Sequence, residues 1–214
     1  MGRSAGGHRW GAPGRIGHTA RRCVTVGVLV GLLATTGAAG AGAKTQTIKR
    51  WVGSMCGELL QELTTIQTWQ QQTQSLADSA STFSSLSAYL KQAVAVTDPV
   101  VSDLGHGVKK LKKLGPPPVS GGSARWKEFL KTWSGVGGAV GTFDDGLKAL
   151  IPTADAVPGE AAAKVQVLAN DLSSSMSSLP AALSDLDKGK VGTAVTKAAN
   201  KVQKCQDLQA FASS

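Results

Sequence analysis

Cysteine is the residue type in this chain with the widest chemistry, because a thiol can act as a nucleophile, bind a metal or form a disulfide. The 214 residues include three cysteines, of which Cys56 and Cys205 follow the leader described below. A reactive cysteine needs an electropositive, partly exposed site, because the thiolate is the reactive form. The charged residue nearest to Cys56 in the sequence is Glu58, with Glu62 four residues further on, and both acids favour the neutral thiol. The sequence therefore disfavours a nucleophilic cysteine at position 56.

Other candidates for catalysis or metal binding are few. After residue 43 the chain holds one histidine, His106, whereas a zinc site needs three or four clustered ligands. Asp144 and Asp145 could form a carboxylate pair, but neighbours on a helix diverge by about 100° and do not face each other. We expect both to lie on a solvated face. We assign no catalytic residue, no metal and no cofactor, and we predict that the protein is not an enzyme.

The first 43 residues have the three parts of an export signal. Five arginines and no acid are followed by the apolar run 24–34, which reads VTVGVLVGLLA, and by an A-x-A cleavage site at 41–43. Cleavage there makes Lys44 the new N-terminus of a secreted, extracytoplasmic protein. The apolar run is short for a membrane span, which needs about 20 residues. The alternative is an uncleaved signal-anchor that tethers the protein to the membrane.

The net charge of +9 is concentrated in this leader. Residues 44–214 hold 18 Lys and Arg against 14 Asp and Glu, a net charge of +4. Proteins that bind nucleic acid usually show a concentrated basic face and a much larger excess. We therefore predict that nucleic acid is not a partner.

Hydrophobic residues after the leader recur at steps of three and four, which is the spacing of a helix seam. The clearest seams are Val52, Cys56, Leu59, Leu63 and Ile66; Trp126, Phe129, Trp133, Val136 and Val140; and Val191, Val195, Ala198, Val202 and Cys205. The predicted helices cover about 45–78, 82–114, 124–151, 159–187 and 190–209, with a Pro/Gly linker at 115–123. We predict an all-α fold for the single domain 44–214: an antiparallel up-and-down four-helix bundle with a short fifth C-terminal helix.

Two prolines fall inside the predicted helices. Pro180 leaves the hydrophobic spacing in register, which predicts a kink in the fourth helix. Asp98 and Pro99 fit either an unbroken second helix or a cap followed by a first-turn proline, which would split it.

The positions of Cys56 and Cys205 predict how they pair. Each lies on the hydrophobic seam of its helix, and an even number of cysteines in an exported chain normally forms disulfides. The chain ends of an even-numbered up-and-down bundle meet at one end, so the two residues can come together. We predict a Cys56–Cys205 disulfide that closes a loop of about 150 residues.

The strongest cluster of charge is KKLKKL at 109–114. Its four lysines are Lys109, Lys110, Lys112 and Lys113. One interpretation is contact with an anionic cell-envelope polymer or membrane surface. The other is that lysines at a helix C-terminus complement the helix dipole and hydrate the surface.

A glycine-rich stretch interrupts the third predicted helix. Each glycine costs about 1 kcal/mol relative to alanine in a helix interior, so Gly137, Gly138 and Gly141 need a reason. They could permit close helix packing or leave a groove beside the helix. A phosphate-binding loop is disfavoured, because no G-K-[ST] sequence and no strand accompany them.

The overall layout resembles a group of small secreted actinobacterial proteins, largely uncharacterised. The shared parts are Cys56 in the first mature helix, Val96-Thr97-Asp98, the segment Lys109–Pro118 that leads into a proline loop, and Cys205 near the C-terminus. The resemblance implies a disulfide-tied helical bundle in the cell envelope or medium. It implies no catalytic residues.

These observations lead to a functional hypothesis. We predict an exported, non-enzymatic helical bundle that acts as a cell-envelope or extracellular binding protein, with its protein partner unknown. The alternative is a carrier of a small apolar ligand held between helices, which would need a continuous apolar cavity.

Overall fold

A computed structural model describes residues 42–186 and 188–213, and their regular structure is helical throughout. The helices are α1 Gly42–Asp78, α2 Leu86–Leu114, α3 Gly122–Leu150, α4 Pro158–Met176, α5 Leu179–Leu186, α6 Gly189–Ala199 and α7 Gln203–Ser213, with a 3-10 turn at Ala80–Thr82. The predicted all-α class is confirmed. The predicted leader, apart from its last two residues, lies outside the described residues.

Local capping explains the limits of α2. The side chain of Ser85 accepts a hydrogen bond of 3.2 Å from the backbone N–H of Ala88, as an N-cap residue does. Gly115 ends the helix with a φ of 74°, a conformation that only glycine adopts without steric cost. Pro99 lies inside α2, which continues through it, so the second helix is not split.

The three long helices pack side by side in antiparallel order. Trp51 of α1 donates its indole N–H to the carbonyl of Gly115 at 2.8 Å, and Trp69 donates to the hydroxyl of Thr97 at 3.2 Å. These two bonds fix the register of α1 against α2. The following loops return α3 along α2 and α4 along α3.

Four shorter helices, α4 to α7, pack against the three long ones. Helices α4 and α5 lie against α3, whereas α6 and α7 lie against α1. This arrangement differs from the prediction, which had one long fourth helix at 159–187 and one fifth helix at 190–209. Each of these segments is two helices in the structure.

The break in the fourth segment has a chemical cause in a run of serines followed by proline. The hydroxyl of Ser178 donates to the carbonyl of Ser175 at 2.7 Å, a local bond that competes with the helical ladder. Pro180 has no N–H to donate to the carbonyl of Met176, four residues earlier. Pro180 therefore belongs to the first turn of α5 and does not kink a longer helix.

The break at residues 200–202 separates α6 from α7 and turns the chain so that both helices contact α1. Cys205 on α7 forms a disulfide with Cys56 on α1, with a Cα–Cα distance of 5.1 Å. The predicted disulfide is therefore present, and it ties the first helix to the last.

Two hydrophobic clusters form the core. The larger one surrounds the disulfide and contains Trp51 and Trp126, whose rings meet edge to face with centroids 5.3 Å apart. The smaller one lies at the opposite end, around Leu90 and Leu147. Among the described helices, none is both long enough and apolar enough to cross a bilayer.

Candidate functional site

One end of the bundle collects the start of α1, the end of α2, the start of α3 and the helices α5 to α7. The Trp51–Gly115 hydrogen bond and the disulfide fix this arrangement. We call residues 47–63, 104–131 and 179–211 the basic end, and residues 64–103 and 132–178 the acidic end.

The two ends carry opposite charge. Counted on the sequence, the basic end has fourteen Lys or Arg and six Asp or Glu, a net charge of +8. The acidic end has three Lys and eight Asp or Glu, a net charge of −5. Apart from the half-buried Arg125, the basic side chains of the basic end are exposed to solvent. The small net charge of residues 44–214 is therefore unevenly divided between the two ends.

The four lysines singled out in the sequence lie on the basic end, and all four are exposed. Lys110 binds two residues of α1: its ammonium group lies 3.1 Å from the carboxylate of Glu58 and donates to the side-chain oxygen of Gln61 at 3.3 Å. Lys112 and Lys113 occupy the last turn of α2, where they also complement the helix dipole.

An open groove of about 830 Å³ lies on the same end. We call it the proline groove; its walls are Thr47 and Ile48 of α1, the loop Pro116–Gly121, and Ser123 of α3. Pro116 and Pro118 are exposed, whereas Pro117 is buried. The floor is therefore largely apolar and is reached directly from solvent.

A second open groove, of about 350 Å³, lies between the middle of α1 and the middle of α2. Its α1 wall is formed by Thr64, Thr65, Thr68, Trp69 and Gln72, and its α2 wall by Ala95, Val96, Pro99, Val100 and Asp103. Neither groove is a closed cavity between helices, as a carrier of an apolar ligand would need. The carrier hypothesis stays a prediction.

Two of the three glycines predicted to line a groove, Gly137 and Gly141, face α2. A β-carbon on Gly137 would lie 3.9 Å from Cβ of Leu104, and one on Gly141 would lie 3.9 Å from Cγ1 of Val101. Gly138 is exposed and has open space around it. None of the three lines the two grooves described above. A β-carbon at Gly137 or Gly141 would make an ordinary van der Waals contact, so close packing does not require glycine at any of the three positions.

A buried carboxylate that the sequence did not single out lies between α1 and α2. Glu62 is only 3 % exposed, and its carboxylate occupies the space that a side chain on Gly107 would need. Burial raises its pKa from 4.5 to about 7, with a further increase from Glu58 and Asp103 and a decrease from Lys110. Within the described structure, Oε2 of Glu62 has no hydrogen-bond partner.

The sequence could have signalled Glu62, because it shares a helix face with Leu59 and Ile66, three residues before and four after it. An acid on a hydrophobic seam is unusual, since a buried charge is costly unless it is paired or neutralised. The contact with Gly107, which leaves space for the carboxylate, could not be predicted from the sequence, because it depends on how α1 and α2 align.

Asp144 was predicted to be solvated, and this prediction is wrong, because the residue is buried. It is 2 % exposed and forms an ion pair of 2.6 Å with Lys148, which also contacts Asp98 at 2.7 Å. The two acids raise the pKa of Lys148 through their hydrogen bonds to its ammonium group. Asp145 is exposed, as expected.

The remaining candidate from the sequence, His106, is not part of a metal-binding cluster among the described residues. His106 is exposed on α2. In the part of the chain that the structure describes, His, Cys, Asp and Glu residues form no group of three or more that could hold a metal ion.

Comparison with protein-family models, with curated proteins and with solved structures finds no significant match to this chain.

Proposed function

We propose that this protein is an exported, non-enzymatic binding protein of the cell envelope or extracellular space, and that its basic end binds an anionic partner. The segregation of charge, +8 at one end and −5 at the other, is the observation that carries this proposal. Clustered, exposed cations raise the local concentration of anionic partners and orient their approach.

The disulfide supports an extracytoplasmic location. Disulfides persist in oxidising compartments, and Cys56 and Cys205 form a buried bond that joins distant parts of the chain. The export signal predicted at 1–43 agrees with this location, as does the resemblance to small secreted actinobacterial proteins.

The positions of the buried acids support a binding role over catalysis. Glu62 lies against Gly107 in the contact between α1 and α2. Asp144 is buried on α3 and pairs with a lysine of the same helix. Neither acid lines one of the two grooves. The burial of the two acids is therefore explained by packing.

The test uses the protein recovered after secretion of the full chain from a bacterial host. Mass spectrometry of the intact protein should give an N-terminus at Lys44. Titration with polyphosphate in about 50 mM salt should show binding that weakens steeply as salt is added, because screening grows with ionic strength. Poly-lysine, added as the matched control, should bind much more weakly. The proposed function is wrong if the exported protein binds neither polyphosphate nor anionic vesicles at low salt.

A further inference from the structure

The basic end combines two features that belong together at a lipid surface: an apolar groove and an excess of exposed cations in the chain segments that flank it. We propose that the proline groove and the cations around it dock on a bilayer that contains anionic phospholipid. This inference rests on the proposed function and names the partner of the same surface.

The apolar part comes from the proline groove. Ile48 and Val119 are only partly buried, and they pack against the main hydrophobic cluster from its edge. The exposed prolines 116 and 118 extend this apolar surface into solvent. Apolar groups at such a surface can enter the boundary between lipid headgroups and acyl chains.

The charged part surrounds the groove along the chain. Residues 42–57 and 104–127 contain nine Lys or Arg and no acid. Lys49 follows Ile48 directly, and Lys113 lies three residues before Pro116. The nearest acid along α1, Glu58, is already paired with Lys110. The chain segments that build the groove therefore contribute cations and no acid, and the acids that follow them directly in the sequence are Glu58 and Glu128.

The apolar floor of the proline groove favours a bilayer over a soluble polyanion as the partner. A flexible polyanion can pair with the lysines, but it has no apolar group to contact Ile48 and Val119. A bilayer of anionic lipid offers phosphate groups to the cations and acyl chains to the floor at the same time. The structure thus fits the bilayer better.

The test measures binding of the exported protein to vesicles made of equal parts phosphatidylglycerol and phosphatidylcholine, and to vesicles of pure phosphatidylcholine, in about 50 mM salt. We expect binding to the first and at least about tenfold weaker binding to the second. The double variant Lys112→Gln, Lys113→Gln should bind the anionic vesicles at least about tenfold more weakly. The matched control Lys91→Gln, Lys164→Gln, which changes two exposed lysines of the acidic end, should bind like the wild type.

A second pair of variants tests the apolar floor. Ile48→Gln should weaken binding to anionic vesicles while leaving binding to polyphosphate unchanged. Val167→Gln is its control, because Val167 is 58 % exposed on α4, at the acidic end. Circular dichroism melting of each variant separates loss of binding from loss of folding.

Two results would overturn the inference. If Ile48→Gln, still folded, binds vesicles like the wild type, the surface recognises charge alone. If the wild type binds polyphosphate but not anionic vesicles, the partner is a soluble or polymeric anion. In both cases the proposed function survives. Binding to neither probe would contradict both proposals.

Discussion

The carboxylate of Glu62 in α1 occupies the space that a side chain on residue 107 of α2 would need, and glycine at that position makes the contact feasible. The two residues therefore form a matched pair across the helix interface. Gly107 is buried in the middle of a helix, where glycine is normally unfavourable, and Glu62 is a carboxylate on a hydrophobic seam. Each is unusual alone, and each is explained by the other.

Replacement of Gly107 by alanine tests this relationship. We expect Gly107→Ala to lower the free energy of unfolding by about 1–3 kcal/mol, because the added methyl group overlaps the Glu62 carboxylate and forces it to move. Gly105→Ala is the matched control, because it lies in the same helix and has open space around it. The control should stabilise the protein by up to about 1 kcal/mol through helix propensity. Urea denaturation measures both, and equal effects at the two positions would contradict the account.

The raised pKa of Glu62 predicts how stability changes with pH. The folded protein holds this proton up to about pH 7, whereas the unfolded chain releases it near 4.5. Between these values the native state binds more protons than the unfolded state, so stability falls as pH rises. Above pH 7 this contribution becomes constant. We expect a loss of about 1–2 kcal/mol across the window, which allows for partial solvent screening.

The variant Glu62→Gln isolates this effect, because it keeps the size of the side chain and removes its titration. The groups that face Glu62 are Glu58 on its own helix, and Asp103 and Lys110 on α2. All three remain in the variant. Urea denaturation from pH 4.5 to 8 should give a smaller decline for Glu62→Gln than for the wild type. Parallel stability curves for the two proteins would exclude Glu62 as the titrating group.

The disulfide should make a large contribution to stability. It joins residues separated by 149 positions, and the chain-entropy model gives a loop of this length on the order of 5 kcal/mol as an upper figure. We expect the protein with Cys56→Ser and Cys205→Ser to show a markedly lower Tm, and reduction of the wild type to lower its Tm similarly. When the protein is denatured without reduction, residues 44–214 should show no free thiol. Two freely reacting thiols within residues 44–214 of the air-oxidised protein would refute the bond.

The neighbours Asp144 and Asp145 offer an internal comparison. Asp144→Ala removes a buried carboxylate that pairs with Lys148 and leaves a gap on the buried face of α3. We expect it to destabilise the protein by about 1–3 kcal/mol. Asp145→Ala, on the exposed side of the same helix, should change stability by no more than about 0.5 kcal/mol. Thermal and urea unfolding of the two variants provides the measurement, and equal losses would show that burial of Asp144 is unimportant.

Much of this fold follows from local information in the sequence. The seam through Val52, Cys56 and Leu59 predicts α1, and the Gly115–Pro118 segment predicts where α2 ends, because each signal acts within one or two turns. The disulfide is predicted because Cys56 and Cys205 each lie on the hydrophobic seam of a helix. Pro180 alone predicts a kink, whereas the structure has a break between α4 and α5, because serine hydroxyls also compete for the backbone carbonyls there.

The candidate site was less predictable, because its features depend on how helices align. The charge of the basic end appears only after α1, α2 and α3 are placed in antiparallel register, which adds the lysines of 109–113 to those of 127–131. Asp144 carried a usable signal, since it lies four residues after Val140 and three before Leu147, on the buried face of α3. Because Asp144 and Asp145 are adjacent and of the same type, the sequence analysis treats them as a pair, although only Asp144 is buried.

The bond between Cys56 and Cys205 has a topological consequence. Residues 56 to 205 form a covalent ring that includes every loop between the first helix and the last. A protease that cuts the linker at 115–121 or the turn at 151–157 opens the ring but releases no fragment. The nicked molecule keeps its mass on a non-reducing gel and separates into two pieces only after reduction. In a compartment rich in proteases, the protein can therefore survive a cut as a single connected molecule.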